Sequence, residues 1–279
     1  MERIGGLGFV LLGFAVGAVG TLLGAGGGFL VAPLLLLLYR KENPEALTSI
    51  SLAVVFFNAA SGSIAYARMK RIDYRAGILF ATAAVPGSIL GSLTTQFIPR
   101  TTFDLLFGAV MVGAGAYLLF SPVRAAGSSV AGAGRPGAAS SLGAEARRPG
   151  APDRPSYNLP LGMGISAVVG YLSSVLGVGG GFIHVPALAR LLGFPVHTAT
   201  ATSHFILAIM ALTGTLAHIG SGSFGHQGFR LTALLAAGVI PGAQLGAWLS
   251  NRVSGSRIIR GLAVVLVAVG LHLFRQALR

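Results

Sequence analysis

Residues 48–67, 76–98, 105–120, 161–189, 199–217, 231–249 and 261–273 are apolar runs without a single Asp, Glu, Lys or Arg. Several reach the roughly 18 residues that an α-helix needs to cross the hydrocarbon of a bilayer. Charged residues make up only 10% of the chain and hydrophobic ones 53%. A soluble domain carries roughly 25% charged residues, so this chain has too little polar surface to cover itself in water. The runs define an all-α polytopic membrane protein.

The formal net charge of +13 does not point to nucleic acid. Lys and Arg fall mostly at segment ends and connections, which is the topological signature of membrane proteins. No basic patch is interleaved with stacking aromatics. The absence of cysteine excludes disulfides and thiolate chemistry. No HExxH or comparable ligand cluster is present, so neither a metal nor a cofactor is expected. The N-terminal MERIGGLGFVLLGFAVGAVG has the look of a signal peptide. An equivalent apolar run at 161–176 lies in mid-chain, however, so the first run is read as structural.

The sequence is duplicated. Residues 24–33 read GAGGGFLVAP and residues 177–186 read GVGGGFIHVP, matching at a constant offset of 153. Further on, SGSIAY at 61–66 aligns with TGTLAH at 213–218, and PGSILG at 86–91 with PGAQLG at 241–246. Residues 121–157 are rich in Ala, Gly, Ser, Pro and Arg, a composition that cannot bury a core and reads as a flexible cytoplasmic linker. Two homologous transmembrane halves, 1–120 and 158–279, are therefore expected, with about eight helical segments in all.

Each half opens on an anomalous segment followed by three ordinary spans. As one helix, 5–39 would be about 50 Å long against a hydrocarbon core of about 30 Å. Its central glycines mark a break, giving helix, glycine turn and shorter helix, and 159–192 repeats the plan. A single crossing by this segment makes the repeats parallel, whereas a re-entrant hairpin makes them inverted. Basic residues do not discriminate, since with the linker cytoplasmic both arrangements put 13 of the 20 Lys and Arg on its side. In both, Arg68, Lys70, Arg71 and Arg75 face the cytoplasm.

Unpaired backbone groups are costly in hydrocarbon, so a broken helix persists only where it finds partners or lines a site. Glycine permits positive φ and close approach of a ligand to the backbone. A helix starting after the break directs free N–H groups and a positive dipole end at that point, which suits an anion. Gly24, Gly26, Gly27 and Gly28, with Gly177, Gly179, Gly180 and Gly181, are therefore candidate substrate-binding residues. Close helix packing of the small-xxx-small kind is the alternative reading.

The duplicated GxGGGF…P motif, each copy followed by a Ser/Thr-rich helix, resembles the sulfite exporter TauE/SafE family, also called the toluene-sulfonate uptake permease family. The likeness covers both halves. It implies a multi-pass transporter of the prokaryotic cell (inner) membrane that moves sulfite, an organosulfonate such as sulfoacetate, or a related small anion. The coupling ion, the direction of transport and the oligomeric state are left open, with room for a homo-oligomer.

The second helix of each half concentrates polar residues. Ser51, Asn58, Ser203 and His204 are candidate donors to the anion, because hydroxyl and amide groups bind it without burying a charge. Helix-to-helix bonding is the competing role for each. No Asp or Glu lies deep in a span, so the intramembrane titratable candidates are histidines, His184 and His204 before His218. Gln244 is a weaker candidate. Pro86 and Pro241 permit kinks or hinges, and the two halves are expected to move relative to one another. An anion channel of the same architecture is the mechanistic alternative. Catalysis is disfavoured, since Ser203 and His204 diverge by about 100° around their helix and no carboxylate orients the imidazole.

Overall fold

The computed structural model describes residues 5–39, 42–120, 157–224 and 226–277. The segment read as a linker lies almost wholly outside them. The described residues form ten α-helices: α1 (Gly6–Leu22), α2 (Gly28–Leu38), α3 (Pro44–Arg68), α4 (Tyr74–Thr95), α5 (Arg100–Phe120), α6 (Leu159–Leu176), α7 (Gly181–Pro186), α8 (Val196–Gly220), α9 (His226–Ser250) and α10 (Gly255–Ala277). A π-helical turn, Ala187–Leu191, extends α7. Seven helices, α3–α6 and α8–α10, are long and apolar enough to cross a membrane.

Local chemistry sets the helix ends. Asp73 Oδ1 accepts from Ala76 N at the start of α4, and Asn158 Oδ1 from Leu161 N at the start of α6. Both are side-chain caps that satisfy otherwise orphan donors. Pro44 opens α3 at a position where its missing N–H costs nothing. α6 stops because Gly177 turns left-handed, φ +67°.

The direction of each helix follows from its neighbours. α1 lies beside α9 with Gly6 against Leu234, Gly17 against Val239 and Gly246 against Ala18, so the two run parallel. α9 is also parallel to α3: Gly228 meets Ile50, Ser61 bonds to the Ile240 carbonyl, and Asn251 reaches Met69. α1 and α3 thus point the same way although they follow one another in the chain. α2 must carry the chain back between them, so α1 and α2 form a re-entrant hairpin.

The second half repeats this upside down. α6 is parallel to α4, with Gly162 by Phe80 and Gly91 by Tyr171. α4 is parallel to α8, with Gly77 by Phe205 and Ser92 bonded to the Gly214 carbonyl. α3 and α8 cross the core antiparallel, Gly62 meeting His204 and Gly214 meeting Leu52. The geometry that charge left undecided is therefore inverted. Arg100 ties the α2 end to the α5 start through the carbonyls of Leu36 and Glu42, both at 2.8 Å. On the opposite face Arg190 ties the chain after α7 to the Leu118 carbonyl at 3.1 Å. Each hairpin returns to the face it entered from.

The principal pairings are α1 with α9, α6 with α4, α5 with α10, and α3 with α8. Exchanging α1–α5 for α6–α10 maps this set onto itself. Helices of one half thus pack mainly against the other half, and separating 1–120 from 158–279 as rigid bodies would undo every one of these seams. The helices group instead into two interleaved units, α1, α3 and α9 on one side and α4, α6 and α8 on the other.

Candidate functional site

The two hairpin tips meet in the protein interior. Gly24, Gly26 and Gly27 have φ of +77°, +74° and +75°, and Gly177, Gly179 and Gly180 of +67°, +80° and +54°. An L side chain is strained in that region. The tips also leave no space for one. A Cβ on Gly181 would stand 2.6 Å from the Gly24 carbonyl oxygen, and one on Gly28 would overlap the Val178 carbonyl. Val55 of α3 and Leu207 of α8 pack on both tips, each against Gly26 and Gly179. All eight candidate glycines are buried.

The starts of α2 and α7 both carry free donors, the N–H groups of Gly179, Gly180 and Phe182 at the second tip and those of Gly27, Gly28 and Phe29 at the first. Among the described residues no acceptor meets them, and no side chain caps either helix. Asn58 of α3 lies against the start of α2. A Cβ on Gly27 would be 3.4 Å from Asn58 Nδ2, and that Nδ2 is buried without a hydrogen-bond partner. Asn58 Oδ1 accepts from the Thr21 hydroxyl at 2.9 Å.

His204 belongs to the same group. Its Nε2 lies 3.3 Å from Thr21 Oγ1, and its ring stands edge-on to Tyr66 at 5.5 Å. Tyr66 donates to the Thr21 carbonyl at 2.8 Å. Asn58, Tyr66 and His204 are all fully buried. The cluster therefore joins α1, α3 and α8 immediately beside the α2 N-terminus.

Ser51 and Ser203 occupy equivalent places with a different role from the one expected. Ser51 Oγ donates to the Gly177 carbonyl at 2.6 Å and Ser203 Oγ to the Gly24 carbonyl at 3.4 Å. Each hydroxyl proton is committed to the opposite hairpin, where it satisfies a carbonyl freed by the break. Ser203 and His204 turn to different partners, so they do not form a nucleophile and base. His184 stands apart from this cluster, its Nε2 3.1 Å from Ser166 Oγ on α6.

The second tip is chemically poorer. Met210 replaces Asn58, and its methyl lies 2.7 Å from where a Cβ on Gly180 would be. Around it Ser88 bonds to Ser174 at 2.7 Å and to the Met210 carbonyl at 2.8 Å. Thr21, Tyr66, Ser88 and Ser174 were not singled out from the sequence. Thr21 and Ser174 carried one usable signal, since both stand three residues before the first glycine at the repeat offset of 153. Gln244 donates to the carbonyl and hydroxyl of Ser61, at 2.8 and 2.9 Å, a bond between α9 and α3. Among the described residues no group of three or more His, Asp or Glu could hold a metal ion.

Paired re-entrant hairpins with free helix-terminal donors, set among membrane-spanning helices, define a polytopic membrane transporter. The family model described as sulfite exporter TauE/SafE matches residues 9–273, and the chain belongs to that family. It is similar to the probable membrane transporter protein YunE of Bacillus subtilis, at 30% identity over 96% of this chain and 97% of that one. Probable membrane transporter proteins of Methanocaldococcus jannaschii (MJ0441) and Xylella fastidiosa strain Temecula1 are 24% and 28% identical, covering 95% and 93% of this chain and 93% and 90% of theirs. No solved structure matches the chain.

Proposed function

We propose that the protein is a secondary transporter that binds a small sulfur-containing anion, sulfite or an organosulfonate such as sulfoacetate, at mid-membrane. The observation that carries this reading is the donor set at the first tip: the N–H groups of Gly27 and Gly28 with the unpartnered Asn58 Nδ2. Buried donors without acceptors are costly, and an anion satisfies all of them at once with charge-assisted bonds. The positive end of the α2 dipole adds to that attraction. The family's description supports the sulfur oxyanion class. Ser51 and Ser203 hold the two tips together, and the remaining glycines let the tips approach.

The direct packing of the two tips on each other, so close that a Cβ on Gly181 would stand 2.6 Å from the Gly24 carbonyl oxygen, favours a carrier over a channel. Movement of α1, α3 and α9 against α4, α6 and α8 would open the tips to one face at a time. The face bearing Arg68, Lys70, Arg71, Arg190 and Arg252 is assigned to the cytoplasm by the positive-inside rule, and the membrane to the inner membrane of a prokaryotic cell. Flux of labelled sulfite and sulfoacetate into proteoliposomes tests the proposal. Saturable uptake of at least one, accelerated by the same anion inside, is expected. Uptake of neither by folded protein would refute the substrate class, and uptake that never saturates would refute the carrier.

A further inference from the structure

α5 and α6 follow one another in the chain, yet α5 packs on α10 and α6 on α4 rather than on each other. Between them runs a groove with the second hairpin along its length. Its volume is about 900 Å³, in the upper part of the roughly 300–1,000 Å³ range of small-molecule sites. Val110 and Tyr117 of α5 line one side, Leu161 and Leu172 of α6 the other, and Phe182 and Leu191 the hairpin side. Tyr117 is the one lining residue with a polar side-chain atom. Gly113 and Gly164 keep the walls apart, since a Cβ on either would meet nothing within 4 Å.

The groove has the reach of one lipid leaflet. It runs from the Arg190 face, where Tyr117, Pro160 and Leu191 stand near helix ends, to Phe182 beside the second tip. From Pro160 to Leu172, α6 rises about 18 Å at 1.5 Å per residue, against about 15 Å for half of a hydrocarbon core. Arg190 stands at the first of these ends. Its guanidinium donates to the carbonyls of Tyr117 and Leu118, at 3.5 and 3.1 Å, and lies 5.6 Å from the centre of the Tyr117 ring. Carbonyls fix the group without neutralising it, and its Nε has no partner. On the opposite face Arg100 is met by the Asp104 carboxylate at 3.3 Å. Among the described residues no carboxylate pairs with Arg190.

We propose that this groove is a binding site for an anionic phospholipid, with an acyl chain lying along α6 and the headgroup phosphate on Arg190. Its walls belong to two membrane-spanning helices and offer water no hydrogen-bond partners, so a hydrocarbon chain is the filling they suit. A basic residue at the leaflet end of such a groove selects an anionic headgroup, and the planar guanidinium matches phosphate geometry. Residues 121–156 join the end of α5 to the start of α6 at the same face. They contain just three large apolar residues, Val123, Val130 and Leu142, and no aromatic one, too few to fill the groove. The lipid chain supports the flank of the second hairpin that α5 does not cover. The site stands whichever anion the protein transports.

The test is quenching of a groove tryptophan by lipids brominated in the acyl chain. Val168 lines the groove and is 60% exposed, and Trp248 is the one native tryptophan. Full-length protein carrying Trp248→Phe and Val168→Trp is reconstituted into phosphatidylcholine vesicles with equal fractions of brominated phosphatidylglycerol or brominated phosphatidylcholine. The anionic lipid should quench with about fivefold higher relative affinity, the worth of one Arg at an anionic surface. Arg190→Gln, whose amide still reaches a carbonyl, should abolish that preference, and Arg190→Lys should keep most of it. Gly113→Phe fills the groove from α5 and should bring the anionic lipid down to the level of phosphatidylcholine. Leu11→Trp on α1, 62% exposed and outside the groove, should show no preference. Equal quenching of the groove tryptophan by the two lipids, or a preference that survives both Arg190→Gln and Gly113→Phe, would overturn the proposal. Quenching by neither lipid, the result if residues 121–156 or a second copy of the chain covered the groove, would overturn it as well.

Discussion

In the proposed site, Asn58 is the residue on which anion binding is expected to depend most. It is the buried amide whose NH2 lacks a partner while its oxygen is fixed by Thr21. Asn58→Leu removes a hydrogen bond to a charged group, an effect of about 1.5–3 kcal/mol. KM for the transported anion should rise by about one to two orders of magnitude, with the expression level and melting behaviour in detergent little changed. His184→Ala offers the contrast. Its imidazole bonds Ser166 within the second hairpin, so the substitution should lower thermal stability and leave KM close to wild type. The sequence could not separate these two residues. Both read as polar donor candidates inside a span, and what distinguishes them is where they stand in the fold, Asn58 against the first tip and His184 within the second hairpin. The Thr21–Asn58 and Tyr66–Thr21 bonds join positions 37 and 45 residues apart, and no local pattern encodes them.

At the scale of the element, the helix breaks were legible and the direction the chain takes after them was not. Glycines inside an over-long apolar segment gave the break, because only glycine combines positive φ with so little volume. Whether the chain went on or turned back depended on packing of α1 with α9 and α6 with α4, which charge counts do not see. That packing is backbone on backbone, so it yields a paired prediction. A Cβ on Gly238 of α9 would overlap the Val10 carbonyl of α1, while one on Gly164 of α6 meets nothing within 4 Å. Gly238→Val should cost at least about 1–3 kcal/mol through overpacking and loosen the first hairpin. Gly164→Val should be nearly silent. Thermal unfolding in detergent distinguishes the two.

For the whole molecule, the duplicated sequence suggested two bodies, whereas the helices interleave. α1 finds its neighbour in α9 and α6 in α4, so neither half contains the partners its own hairpin needs. Residues 1–120 or 158–279 expressed alone should be degraded or aggregate. Co-expressed, they should assemble into a complex that co-purifies and transports. A stable, monodisperse 1–120 fragment would contradict the interleaved architecture. Sequence comparison could reveal the duplication because it preserves local motifs. It could not reveal the exchange of partners, since each helix has the same composition whichever half it packs against.

The central claim is that the two glycine tips bind an anion in mid-membrane and open to each face in turn. Val55 on α3 is fully buried and packs on both tips, and the chain has no native cysteine. Val55→Cys therefore places one thiol at the proposed site. The decisive measurement is its rate of labelling by a membrane-impermeant maleimide, added from either side of oriented vesicles, with and without the transported anion. The account predicts labelling from both faces and protection by the anion from both. Labelling from one face only, or at a rate that saturating anion leaves unchanged, would contradict it.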